Sequence, residues 1–220
     1  MDFFYLFEPY ENIVSRADEA FQQAKEEFPE CVQCEPHCAD CCHAVFGLFL
    51  LEAAFLKRDF DQLGEEEREA ALKRGRDADE ALEKLEGTLR SFKEDPQMIS
   101  YSLARARIRC PLLNDHNECV LYPYRPITCR VYGIPTRVRG VPRVCGKAAY
   151  KKDQEYRLFD LDEVHRDLHQ LSRELLQRAG GKDLEMSTLL FSVSKVIKTP
   201  FEELITGIPG WSGTGSPHGP

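Results

Sequence analysis

A chain of 220 residues with 42% hydrophobic content can close a hydrophobic core of its own, so a bound metal need not be its only source of folding energy. Its net charge of −8 excludes a general nucleic-acid binder. The longest apolar run, Ala44 to Leu51, ends at Glu52 and is far shorter than the roughly 20 residues of a membrane span.

The opening residues Met1-Asp2-Phe3-Phe4-Tyr5-Leu6-Phe7-Glu8 carry neither a basic n-region nor a small-residue cleavage site, which predicts a cytoplasmic protein. Asn12 to Phe28 reads as a helix, with Ile13, Ala17, Phe21, Ala24 and Phe28 at steps of three and four and Pro29 as its stop. A cysteine run follows in a loop setting. Ala44 to Leu51 fits either a buried strand or the start of a helix, because a run this short has no decisive period. Glu52 to Leu63 reads as helical, with Gly64 as a stop. Glu65 to Lys93 continues as a helix interrupted at Gly75, its stripe of Ala78, Ala81, Leu82, Leu85, Leu89 and Phe92 marking one buried face. Residues 52–93 are therefore expected to form a helical arm for packing, with no site residue in Glu65 to Lys93.

Residues 97–107 read as a further helix. Cys110 to Cys119 has polar turn formers between two apolar pieces, the pattern of a small hairpin that returns one cysteine towards the other. Arg125-Pro126 opens a short helical turn carrying Cys129, and Thr136 to Cys145 alternates around Gly140 as a second hairpin. Leu161 to Arg178 has an apolar step of three and four closed by Gly180-Gly181. A last helix is expected over Leu184 to Ile197 and a short one over Pro200 to Leu204, so 161–205 is helical. The Gly-, Pro-, Ser- and Thr-rich segment 206–220 reads as a disordered tail. The expected fold class is mainly α: one domain over 1–205, with a cysteine-rich metal-binding core that contains short β-hairpins.

Nine cysteines fall in two groups: Cys31, Cys34, Cys38, Cys41 and Cys42, then Cys110, Cys119, Cys129 and Cys145. Disulfides, a metal or an iron–sulfur cluster could hold thiols at this density. A reducing compartment and an odd count disfavour disulfides. Cys31-x2-Cys34 and Cys38-x2-Cys41 are CxxC units, a spacing that lets two thiolates meet one ion. Cys34-x3-Cys38-x2-Cys41 also has the spacing of radical enzymes that bind a four-iron cluster and S-adenosylmethionine, but a helix precedes it and the βα rhythm of those enzymes is absent. Adjacent Cys41 and Cys42 direct their side chains differently, and nine thiols suffice for two four-thiolate sites or one polynuclear site.

Residues 101–152 hold eleven Lys and Arg against Asp115 and Glu118, leaving 18 basic and 35 acidic residues elsewhere. That basic segment carries the four downstream cysteines. It could offset thiolate charge, form a solvated face, or dock an anionic substrate or protein partner.

Cys34-x3-Cys38-x2-Cys41-Cys42, Cys110-Pro111-Leu112-Leu113 and Cys119-Val120-Leu121-Tyr122-x2-Arg125-Pro126-x2-Cys129-Arg130 together resemble the CxxCxxCC (YkgJ-type) family, described as chelating zinc or iron through eight cysteines. The resemblance spans 34–145 and implies Cys34, Cys38, Cys41, Cys42, Cys110, Cys119, Cys129 and Cys145 as metal ligands. The first interval here is three residues where many members have two, and Cys31 has no counterpart. The resemblance also extends to a flagellin lysine-N-methylase, an enzymatic member, although no Gly-rich nucleotide fingerprint stands in this chain. Arg125 and Arg130 flank Cys129 and are expected to compensate charge on, or donate to, the thiolate sulfurs.

His37, His43 and His116 accompany the cysteines, whereas His165 and His169 lie four apart on a helix without an HExxH motif and read as part of an exposed polar face. None is needed as a ligand. Three functions follow: a zinc or iron binder with a structural or carrier site, an iron–sulfur redox or modification enzyme, or a scaffold whose helical arm binds a partner. Closed four-thiolate coordination would mean inert zinc, and an open position would mean reactivity.

Overall fold

The computed structural model describes residues 4–181 and 183–207. Helix α1 (Phe7–Glu27) begins five residues before the expected boundary. Pro9 is tolerated in its first turn, and Phe7 and Tyr10 extend the buried stripe of Ile13 and Ala17 towards the N-terminus. The chain from Ala44 combines both readings of the apolar run. Leu48 bridges Phe191 in extended conformation, and helix α2 (Leu50–Phe60) starts two residues later.

Helix α2 is the centre of the core. Leu50, Leu51, Ala53, Ala54 and Leu56 are fully buried, each large side chain contributing about 1.5–3 kcal/mol by its removal from water. Phe55 meets Phe7 and Tyr10 edge-on at 5.3 and 4.9 Å. The helix contacts α6 (Leu161–Arg178), α7 (Val193–Lys198) and α8 (Phe201–Thr206). Glu52 is buried in its first turn and accepts the Phe49 N–H at 3.2 Å, satisfying a donor that the helix end leaves open.

The stretch expected as one arm is thus divided. Residues of α2 are core, and only α3 (Glu65–Ser91) projects along the molecule. Gly64 caps the start of α3 instead of ending α2, and Gly75 leaves α3 unbroken. Gly75 is buried where the helix meets Ile197 and Ser194 of the α7 segment. Of the expected stripe only Ala78 is buried; Leu82, Leu85, Leu89 and Phe92 are half-buried.

Asp95 accepts the N–H groups of Gln97 and Met98 and opens α4 (Pro96–Arg105). Downstream, α5 (Ile127–Val131) packs on α1. Strands β1 (Thr136–Val138) and β2 (Val141–Arg143) form the expected hairpin, turning through Arg139 and Gly140 at φ 53° and 71°. Asp162 accepts both turn N–H groups at 2.6 and 2.7 Å, tying the hairpin to α6. A third strand, β3 (Phe159–Asp160), pairs parallel to β1, and Asp160 then caps α6. The Cys110 to Cys119 piece is a loop closed by one bridge, Leu113 to Cys119, and not a pair of strands. The single helix expected over 184–197 divides into a 3-10 turn, Leu184–Thr188, and α7. Phe191 interrupts it by exchanging two backbone hydrogen bonds with Leu48. Of the expected tail, 208–220 lies outside the described residues.

Candidate metal centre

Backbone pairing brings the two cysteine groups together. Cys41 and Cys42 start a 3-10 turn, Cys41–His43. The chain then runs antiparallel to the downstream segment: Ala44 bridges Arg107, Ile108 N–H donates to His43 O, and Cys110 N–H donates to Cys42 O at 2.7 Å. Cys119 is positioned by a loop in which Asn114 Oδ1 accepts the N–H groups of His116 and Glu118. Cys129 stands on α5, whose first N–H, that of Ile127, donates to Glu52 Oε1 at 3.0 Å. One buried carboxylate therefore caps the starts of both α2 and α5. Burial pushes its pKa up to about 7 against the two hydrogen bonds, which lower it. Ala149 N–H donates to Cys31 O and returns the Cys145 segment to the first group.

The sulfurs of the two groups meet. Cys41 and Cys42 Sγ are 4.0 Å apart, and Cys41 and Cys129 line the same two cavities. Cys41 has its pKa lowered, by the thiols of Cys129 and Cys42 donating to it and by the Arg125 guanidinium. Cys42 and Cys129 move the opposite way, each because it donates to Cys41 and because each is desolvated. Burial pushes Cys34 up to about 11 and Cys110 up to about 12, and raises Cys119 and Cys145. Among the described residues no group of three or more Cys, His, Asp and Glu side chains stands close enough to hold an ion as it is. Ligation of a thiol displaces its proton. The donor set suits a thiophilic ion: eight sulfurs, seven of them half-buried and Cys145 buried.

A cleft of about 640 Å³ opens over the centre, and Cys34, Cys38, Cys41, Cys42, Cys119 and Cys129 line it with Lys25, His37, Tyr122 and Arg125. Arg125 stacks on Tyr122 at 3.9 Å from the ring centroid and supplies the charge compensation expected of it. Arg130 does not. Its buried guanidinium donates to Arg125 O at 2.9 Å, to Pro123 O and to Asp18 at 2.6 Å, so it fixes the loop before α5 to α1. Much of the basic segment is likewise engaged with acids beyond it: Arg107 with Asp40, Arg137 with Asp160, and Lys147 with Asp40 at 3.8 Å.

Several site neighbours were not evident from the sequence. Asp40 Oδ2 accepts from the Cys145 thiol at 3.3 Å. A Cβ at Gly133 would overlap the Cys34 sulfur, so this glycine makes room for a cysteine. Ala78 and Leu82 of α3 line a cavity beside Cys110 and Cys119, and Arg74 holds Pro111 O at 2.8 Å. Part of the segment expected to be free of site residues therefore lines a cavity that five of the clustered cysteines also line. The signal was the apolar stripe itself, which has no partner in sequence.

Cys31 is buried apart from the eight, its thiol facing Glu30 at 3.7 Å and Tyr156. His37, at φ 65°, has Nδ1 3.1 Å from His116 O, and His43 Nδ1 lies 2.9 Å from Ala39 O. His165 and His169 are half-buried and not on an exposed face. His165 packs on Phe49 and has its pKa lowered by burial, and His169 lies 3.4 Å from Ser187 Oγ. They do not act as a pair.

A family model, CxxCxxCC, described as "Putative zinc- or iron-chelating domain", matches residues 33–156. No curated protein and no solved structure matches the chain. No helix among the described residues is long and apolar enough to cross a membrane.

Proposed function

The chain belongs to the CxxCxxCC family of zinc- or iron-chelating domains, and from that premise we propose that Cys34, Cys38, Cys41, Cys42, Cys110, Cys119, Cys129 and Cys145 are its metal ligands. The observation that carries this reading is that upstream and downstream thiols line the same cavities, with Cys41 and Cys129 in each. Bound metal would supply Lewis acidity or, as iron, electron transfer. The protein's part is to set the donors on fixed backbone, to counter their charge with Arg125, and to exclude water on the α3 side.

The centre faces the 640 Å³ cleft. A structural zinc site fills all four positions with protein ligands, and a catalytic one leaves a position open; access through the cleft keeps a second reading in play: an iron–sulfur-dependent redox or modification enzyme working at the mouth of the cleft. Purification without oxygen followed by metal and sulfide analysis separates these. Colourless protein holding zinc supports a carrier, and coloured protein with iron and acid-labile sulfide supports the enzyme. Folded protein that retains no metal and takes up neither zinc nor iron would remove the whole reading.

A further inference from the structure

Besides the cleft of about 640 Å³ that six of the eight thiols line, two smaller cavities divide them. A cavity of about 70 Å³ is lined by Cys41, Cys42, Cys110, Cys119 and Cys129. A second, of about 40 Å³, is lined by Cys34, Cys38, Cys41, Cys129 and Cys145 together with Asp40. Cys42, Cys110 and Cys119 do not reach the second, and Cys34, Cys38 and Cys145 do not reach the first. Cys41 and Cys129 line both. The adjacency of Cys41 and Cys42 makes sense in these terms, since only one member of the pair stands between the two spaces.

We propose that this chain holds two metal ions: an inner one on Cys42, Cys110 and Cys119 and an outer one on Cys34, Cys38 and Cys145, with Cys41 and Cys129, which line both spaces, supplying one thiolate to each. The inference rests on the metal-binding reading above. Three private thiols per ion fall one short of the four that zinc takes, and the two thiols between the spaces bring both sets to four. The spaces also differ in character. The inner one is walled by Val45, Ile108 and Pro126, and its side-chain oxygens are the neutral hydroxyls of Ser192 and Ser194, 2.9 Å from each other. The outer one has the Asp40 carboxylate at the Cys145 thiol, held by Arg107 at 2.7 Å. The inner cavity therefore holds no carboxylate, and the outer ion has an anionic oxygen donor at hand, which lowers its preference for soft metals.

The test is metal stoichiometry in the full chain, loaded with zinc without oxygen, freed of loose ions and measured by mass spectrometry, with circular dichroism to establish folding. The expected result is two zinc ions per wild-type chain and one in each of Cys145→Ser, Cys110→Ser and Cys41→Ser. Cobalt(II) titration of Cys145→Ser and Cys110→Ser should give distinct visible spectra, one for a site without a carboxylate and one for the site beside Asp40. Should either variant fail to fold, Cys34→Ser and Cys119→Ser make the same separation. A folded wild type that saturates at one ion would overturn the partition and leave the metal-binding reading intact. So would loss of all metal in both Cys145→Ser and Cys110→Ser, or isolation of the chain with a single four-iron cluster and no other metal. No metal in folded wild type would overturn the functional reading itself.

Discussion

In α2, ten of eleven residues are buried; among the eight clustered cysteines only Cys145 is. The helical core has done its burying by apolar contact, with Leu50, Leu51 and Leu56 wholly out of water. The thiol layer is loops and single turns, half open to a cleft. The difference teaches that the two regions have separate sources of order: apolar area in the core and, on the reading proposed above, ligation in the thiol layer.

Substituting a thiol that lines both spaces should break this comparison most severely. Cys129→Ser is expected to lose metal and stability together, because ligation adds directly to folding free energy, on the order of 10 kcal/mol at structural zinc sites. Serine nearly matches cysteine in size and binds soft ions poorly, so the change tests ligation more than packing. Cys31→Ser should keep its metal, its thiol lying with Glu30 and Tyr156. Metal analysis and thermal melts of the two variants, side by side, check this; equal metal loss would show that Cys31 belongs to the site.

A smaller effect is expected at the joint between the regions. Glu52→Gln keeps one acceptor for the N–H groups of Phe49 and Ile127 and turns a donor towards the other, costing about 1–3 kcal/mol for the buried mismatch. The pH dependence gives a second readout. The folded pKa of Glu52, about 7, lies above its ordinary 4.5, so folding takes up a proton between these values. The stability this contributes is complete below about 4.5 and is lost as pH rises through about 7. Denaturant midpoints across that window should fall in the wild type by a step that Glu52→Gln lacks.

Gly133→Ala sharpens the contrast inside the thiol layer. The added Cβ overlaps the Cys34 sulfur, an overpacking of about 1–3 kcal/mol where the neighbour cannot yield. The cysteine is in a loop and can move, so the expected cost is at the low end, with metal content falling while the melting of the α2 core barely shifts. Loss of core stability with metal retained would reverse the assignment of this glycine.

The smallest effect is predicted on the exposed side of α3. Glu83→Asp and Lys84→Arg preserve charge at exposed positions and should change stability by less than about 0.5 kcal/mol, with metal content unaltered. Ala78→Leu, on the opposite face of the same helix, should disturb the inner cavity that Ala78 lines. Metal analysis of the two kinds of variant tests whether α3 is a wall of the site or a distant support.

Local pattern alone was enough for several elements. The period of three and four identified α6 over Leu161–Arg178 to the residue, because an amphipathic helix writes its buried face into its own sequence. The Arg139-Gly140 turn between β1 and β2 was legible for a similar reason: left-handed backbone at Gly140 selects a residue without a side chain. The family resemblance carried by the cysteine spacing and the Arg-Pro block singled out eight thiols, and the fold brings them to adjoining cavities. Tertiary structure decided the rest. The strand β3, the bond between Leu48 and Phe191 that splits the last helix, and the capping of α5 by Glu52 from 75 residues upstream all depend on partners distant in the chain, which no local period records. So does the division of the thiols. Spacing named which cysteines gather, but which of them face the same cavity follows from the angles at which α3, α5 and the loops meet, and Cys41 and Cys129 stand between the two spaces only because the 107–110 segment pairs with the turn at Cys41–His43.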